Sequence, residues 1–147
     1  MILPSKDGLL RFAFELLPAS EAGHDGWHSY ALTMDRVGKD EQFSLRSTGD
    51  SPLFLSWKFD PEIEDLCVGI RSVVEEGREY TFEPIDERDF SFTIRRQGGI
   101  LFVQLSVADH PVPDDLGWPH GLEVKEVELL GFASGLEAEL VRVKGLS

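Results

Sequence analysis

One amphipathic helix lies between two runs of strand-like sequence, and this arrangement constrains the fold more than any other feature of the chain. Apolar residues recur three or four positions apart between Pro61 and Gly77, which places them on one helical face. They are Ile63, Leu66, Cys67, Ile70, Val73 and Val74. Asp60 is a good N-cap, Pro61 suits the first helical position, and Gly77 can end the helix. The flanking strands are expected to cover this apolar stripe.

The segment before the helix has the pattern of an antiparallel meander. Phe12, Phe14 and Leu16 alternate with polar or small residues, which is the period of a half-buried strand. Four strands are predicted here: Leu9–Leu17, Trp27–Val37, Gln42–Ser47 and Ser51–Phe59. A loop over Ala19–Gly26 and a turn at Gly38–Asp40 separate the first three.

The segment after the helix contains the strongest β pattern. Tyr80–Ile85 predicts a short strand, placed near a sheet edge because Pro84 cannot donate a backbone hydrogen bond. Apolar and polar residues then alternate on both sides of a glycine turn at Arg96–Gly99, which predicts a β-hairpin. The alternating apolar residues are Phe90, Phe92, Ile94, Leu101, Val103, Leu105 and Val107.

The last part of the chain is less regular. Ala108–Gly121 contains three prolines and two glycines, which predicts a long loop. Leu122–Leu130 fits either a strand or a helix, and we favour a strand. Ser134–Glu137 has a capping-box pattern that favours a short terminal helix over a further strand. The 147 residues therefore predict one α+β domain, with an antiparallel sheet (meander plus hairpin) packed on one main amphipathic helix.

The charge balance narrows the classes of partner. The chain has 27 acidic and 14 basic residues, a net charge of −13. Such a surface repels phosphate backbones and anionic lipids, so we expect neither nucleic-acid nor membrane binding. No apolar run approaches the ~18–20 residues of a membrane span, and the first residues lack a signal-peptide pattern, so a cytoplasmic protein is expected. The charge either serves solubility alone or steers the protein onto a basic partner.

The candidate partner-binding residues are clusters of carboxylates and one tryptophan. One cluster lies at the predicted helix start, and a second lies between two predicted strands. Trp118, in the long loop, either anchors an interface or packs that loop on the sheet. The candidates are Glu62, Glu64, Asp65, Asp86, Glu87, Asp89 and Trp118.

Two histidine-bearing loops leave a catalytic alternative open. His24 lies in the first of these loops and His28 just after it, at i and i+4, and His110 and His120 lie in the second. If the loops met, their imidazoles and nearby aspartates would suit zinc or iron; otherwise they are polar loop residues. Cys67 lies on the apolar stripe, where it is expected to pack as a small hydrophobe. No catalytic motif is present, and no cofactor is expected.

From about Arg11 to Val107 the chain resembles a known family. The order is a meander, a helix opened by Asp60-Pro61, the short strand of EGREYTFEPI, and the hairpin FSFTIRRQGGILFVQLSV. This order resembles the WapI-type immunity proteins of bacterial contact-dependent and polymorphic toxin systems. The resemblance implies a small acidic cytoplasmic protein that binds and silences a cognate toxin, such as a nuclease. It carries over no catalytic or binding residue, because toxin-contacting surfaces vary within that family.

Three functions therefore remain open at this point. The first is an immunity-type inhibitor that covers a basic surface of a toxin. The second is an enzyme or small-ligand binder with a metal at the histidine loops. The third is a nucleic-acid mimic that regulates a protein handling DNA or RNA.

Overall fold

The computed structural model describes residues 1–17, 27–36, 38, 42–46, 54–56, 61–84, 90–107 and 122–144. The elements are β1 (Ile2–Pro4), β2 (Leu10–Leu17), β3 (Trp27–Arg36), β4 (Gln42–Arg46), β5 (Phe54–Ser56), α1 (Glu62–Glu76), β6 (Tyr80–Phe82), β7 (Phe90–Gln97), β8 (Ile100–Val107), β9 (Leu122–Val124) and α2 (Glu126–Lys144). Two antiparallel sheets and two helices confirm the α+β class.

The strands divide into two sheets rather than the one expected. The first has the order β1-β2-β3-β4, with β5 also paired to β3, and the second has the order β6-β7-β8-β9. The predicted hairpin is confirmed as β7–β8, and Gly98 in its two-residue turn has a φ of 64°. The hairpin pairs with β6 and β9 and not with the meander. Alternation identifies the buried face of a strand, but it does not reveal which strands share a sheet.

Aromatic rings join the two sheets across a common core. Phe12 of β2 stacks on Phe92 of β7 with ring centroids 5.1 Å apart. Phe90 of β7 lies 6.3 Å from Phe14 and 5.4 Å from Tyr30. All five rings are at most 3% exposed. The buried faces of the sheets therefore pack against each other, with aromatic pairs supplying much of the contact.

The two helices pack on each other and on this core. α1 contacts β5, β6 and β7, whereas α2 contacts β1 and β2. Every residue of the predicted α1 stripe is buried. From α2, Phe132 reaches both sheets, with its centroid 5.9 Å from Phe12 and 6.3 Å from Phe92. The helices thus cover core surface that the sheets leave open.

The C-terminal end of α1 follows the predicted signal, whereas its start is shifted by one residue from the predicted position. The helix begins at Glu62, and the carbonyl of Pro61 accepts a hydrogen bond from Asp65 N–H at 2.9 Å. Pro61 therefore stands just before the first helical residue, and Asp60 lies outside the described residues. Gly77 adopts a φ of 72° and donates to the carbonyl of Val73 at 3.1 Å. This left-handed cap ends the helix as predicted.

The secondary structure predicted for the C-terminal part of the chain is wrong in one respect. The strand that begins at Leu122 stops at Val124, and the 19-residue α2 begins at Glu126, so Ser134–Glu137 lies inside the helix instead of starting it. The reason is a helical stripe that spans the whole segment and is buried in the core. Its members are Leu129, Phe132, Ala133, Leu136, Leu140 and Val143.

Candidate docking surface

A close approach between α1 and β6 builds the most acidic part of the described structure. Gly69, in the middle of α1, lies directly under the ring of Tyr80. A Cβ atom built at Gly69 would stand 2.5 Å from Tyr80 Cγ, a distance that real Cβ atoms do not tolerate. The missing side chain therefore lets β6 lie against the helix.

A narrow groove lies between the start of α1 and β6. Its volume is about 170 Å³. The lining residues are Glu62, Asp65, Tyr80, Thr81, Phe82 and Glu83, so carboxylates from both elements converge on it. Small-molecule sites usually occupy roughly 300–1,000 Å³. The size of this groove therefore matches a single inserted side chain better than a free ligand.

The three acids predicted at the helix start occupy different environments. Glu62 is only 2% exposed, so its side chain belongs to the groove wall and not to the open surface. Glu64 is bridged to α2 by Lys144, whose Nζ lies 3.0 Å from Glu64 Oε1. Asp65 is exposed and has no ion pair in the described part of the chain. Asp65 is therefore the carboxylate of this group most open to a partner.

Further acids lie on the unit formed by α1, β6 and the residues directly beside β6. Glu75 and Glu79 are exposed, and neither forms an ion pair with a described residue. Glu83 follows β6 directly and is also exposed. We call Asp65, Glu75, Glu79 and Glu83, with the groove beside them, the α1–β6 acidic surface.

The pKa of Tyr80 reflects the negative charges of this surface. Its pKa is raised, first because the ring is partly buried, and then because the negative charges of Asp65 and Glu62 oppose formation of the phenolate. The same negative charges would attract a cation. A lysine or arginine side chain entering the groove would therefore be favoured electrostatically.

Acids on other parts of the described structure are mostly paired with cations. Five ion pairs involve acids that lie outside α1 and β6. They are Lys6–Glu123 at 3.2 Å, Arg11–Asp35 at 2.5 Å, Arg71–Glu137, Arg96–Glu126 at 3.1 Å and Arg142–Glu139 at 2.5 Å. On the α1–β6 unit, Glu64 pairs with Lys144 and Glu76 pairs with Arg78 at 3.1 Å, whereas Asp65, Glu75 and Glu79 have no ion pair with a described residue. The α1–β6 unit therefore carries three exposed acids that have no ion pair with a described residue.

Most of the other predicted site residues lie outside the described residues. These are Asp86, Glu87, Asp89, Trp118, His24, His110 and His120. His28 lies in β3 opposite Leu55, and its side chain is not among those described. Over the described ranges, no three His, Cys, Asp or Glu residues are grouped to hold a metal ion. The metal site and these partner contacts stay predictions.

Cys67 packs as predicted. It is 1% exposed, and its thiol donates to the carbonyl of Ala133 on α2 at 3.4 Å. Burial, followed by the nearby charge of Glu137, raises the pKa of the thiol to about 12. A thiol held in its neutral form is a poor nucleophile, so Cys67 serves the contact between the helices.

Sequence reasoning missed the β6 side of the groove. The residues concerned are Tyr80, Thr81, Phe82 and Glu83. A usable signal was present, because acids at 75, 76, 79 and 83 flank a short strand that directly follows the helix. A strand in that position has to return along α1, which brings both sets of acids together.

Comparisons with protein-family models, with curated proteins and with solved structures give no match. Neither helix in the described part of the chain is long and apolar enough to cross a membrane.

Proposed function

We propose that this protein binds a basic macromolecule through the α1–β6 acidic surface, and that it acts as an immunity-type inhibitor covering the basic surface of a toxin. The observation that carries the proposal is the uneven compensation of charge. Asp65, Glu75 and Glu79 have no ion pair among the described residues, whereas most other described acids do. The resemblance to immunity proteins suggests a toxin as the partner.

The physical mechanism is attraction followed by insertion. Uncompensated carboxylates steer a basic surface toward the protein, and this steering weakens once salt shortens the screening length to ~8 Å or less. At contact, a cationic side chain in the groove would meet the carboxylates of Glu62 and Asp65 and the ring of Tyr80. Charged hydrogen bonds and cation–π contact are both stronger there than in open water.

The direct test is protection of cells. The gene beside the one for this chain is expressed in a sensitive host, with and without this protein, and growth is measured. We expect its product to stop growth and wild-type protein to restore it. Asp65→Lys with Glu79→Lys should abolish protection, because both charges then repel a basic toxin.

A matched control changes the same charge elsewhere. Glu15→Lys with Glu126→Lys alters exposed acids on β2 and α2 and should still protect. In vitro, the Asp65/Glu79 variant should raise the Kd by about 10–100-fold, a loss typical of central contact residues. Equal protection by both double variants, or a neighbouring product without effect on growth, would contradict the proposal.

A further inference from the structure

The outward face of α2 has no charged residue along its length. Five residues at helical spacing form this face, which we call the α2 stripe: Val127, Gly131, Ser134, Ala138 and Val141. Val127 and Val141 are 72% and 73% exposed. In a chain with 28% charged residues, an exposed helix normally carries charge on this side. Depletion of charge on an exposed patch is characteristic of the centre of a protein interface.

No contact with the described residues accounts for a glycine at position 131 within the stripe. Glycine in the middle of a helix costs up to ~1 kcal/mol relative to alanine. At Gly69 and Gly135 a side chain would collide, with Tyr80 in the first case and with Met1 Sδ at 2.9 Å in the second. A Cβ built at Gly131 meets nothing within 4 Å. Close approach by another backbone is the remaining use for the missing side chain.

We propose that two copies of this chain associate through their α2 stripes, packed antiparallel about a two-fold axis near Ser134. Because of the two-fold symmetry, Gly131 of each copy lies beside Ala138 of the other copy. Small residues at the crossing allow the helix axes to approach to about 8 Å, the short end of the usual range. Val127 and Val141 then cover the two ends of the contact.

The charges beside the stripe favour a second copy over a different partner. Glu128 lies near one end and has no ion pair in the described part of the chain, whereas Arg142 lies near the other end on the same flank. Two-fold packing brings each Glu128 next to Arg142 of the second copy. Arg142 then lies between that carboxylate and its own Glu139. Antiparallel helix dipoles add to this self-complementarity.

The same surface is a poor match for a strongly basic partner. The stripe is uncharged, so such a partner would be drawn instead to the α1–β6 acidic surface. One helix face buries less than the ~800 Å² per partner of a standard interface, and two chains of charge −13 repel each other. Association is therefore expected to be weak and to strengthen as salt screens that repulsion.

Sedimentation equilibrium over a concentration series tests the proposal. The wild-type mass should rise from 16.5 kDa toward twice that value as the concentration approaches about 1 mM, and more readily at high salt. Gly131→Gln should remain monomeric across the series, because it places a bulky side chain at the crossing. Glutamine is a better helix former than glycine, so misfolding would not explain the loss. Val68→Gln, on the exposed side of α1, should associate like the wild type.

Charge exchange tests the antiparallel geometry. Glu128→Arg alone and Arg142→Glu alone should each weaken association by about tenfold, because like charges then oppose each other across the axis. The two exchanges together should restore it. A wild-type mass that stays at 16.5 kDa, or Gly131→Gln that associates normally, would overturn the proposal. Failure of the double exchange to rescue would exclude the two-fold arrangement.

Discussion

The two helices of this molecule bury similar faces but expose different ones. α1 and α2 each direct an apolar stripe into the shared core, and Cys67 of α1 contacts Ala133 of α2. On the solvent side, α1 carries uncompensated carboxylates with β6 beside it, whereas α2 carries an uncharged stripe. The buried faces are determined by packing, so they say little about function. The exposed faces have no such constraint, and their difference is the basis for proposing a separate partner for each.

The helix glycines show the same contrast. Gly69 of α1 is required by the ring of Tyr80, and this contact builds the groove. Gly131 of α2 has open space around it. One glycine therefore shapes a surface within the chain, while the other leaves room for a second chain.

The largest expected change in stability distinguishes the buried face of α2 from its exposed face. Phe132→Ala should lower the free energy of unfolding by about 3–5 kcal/mol, because the ring contacts Phe12 and Phe92 and leaves a cavity when removed. Val141→Ala, on the stripe, should change it by less than about 0.5 kcal/mol. Urea unfolding measures both. Similar losses for the two variants would mean that the stripe is packed against this chain.

A second prediction sharpens the contrast between the glycines. Gly69→Ala should destabilise the protein by about 1–3 kcal/mol, because the new Cβ displaces the Tyr80 ring. Gly131→Ala should instead stabilise the monomer by up to ~1 kcal/mol through helix propensity. Thermal and urea unfolding at low protein concentration test the signs. Destabilisation by Gly131→Ala would reveal an internal contact at that position.

A smaller effect is the pH dependence of stability that arises from Cys67, at the contact between the helices. The pKa of Cys67 is raised from 9.0 to about 12, so the unfolded chain loses the thiol proton at lower pH than the folded chain does. The thiol therefore contributes stability that is present below pH 9 and is lost progressively between pH 9 and pH 12. Cys67→Ala should show a shallower decline in melting temperature over that range. Parallel declines in the two proteins would exclude this contribution.

The smallest effect concerns the ion pair that links the two helices. Glu64 and Lys144 are 3.0 Å apart and partly exposed, so Glu64→Gln should cost only about 0–1 kcal/mol. The same variant should barely change partner binding if Asp65 is the open carboxylate. A loss of binding as large as that of an Asp65 variant would move the centre of the acidic surface toward Glu64.

Local patterns predicted the elements better than their assembly. The α1 stripe, the Gly77 cap and the β7–β8 hairpin follow from spacing and turn chemistry, so they were predictable. The terminal helix was predicted too short because Leu122–Leu130 was favoured as a strand and Ser134–Glu137 was interpreted as a capping box, whereas buried contacts such as those of Phe132 extend α2 back to Glu126. β1 was missed because it has only three residues and depends on pairing with β2.

The candidate site was predictable in part for similar reasons. Acids at a helix start are expected on electrostatic grounds, and Asp65 is exposed as such a residue should be. Glu62 is buried because it lies four residues before Leu66, on the extension of the apolar stripe. The β6 side of the groove, from Tyr80 to Glu83, depends on how β6 packs on Gly69. The acids beside β6 were visible in the sequence, but the contact of Tyr80 with Gly69 was not, because it joins two separate elements.

An NMR titration with a short lysine-rich peptide tests the central claim, that the α1–β6 acidic surface is where a cationic partner docks. The largest amide shift changes should fall within residues 62–65 and 79–83. These changes should disappear at high salt, in the Asp65→Lys/Glu79→Lys variant, and with a glutamate-rich peptide of equal length. Largest changes at the ion-paired acids of β9 and α2, or equal changes at acids over the whole surface, would contradict it.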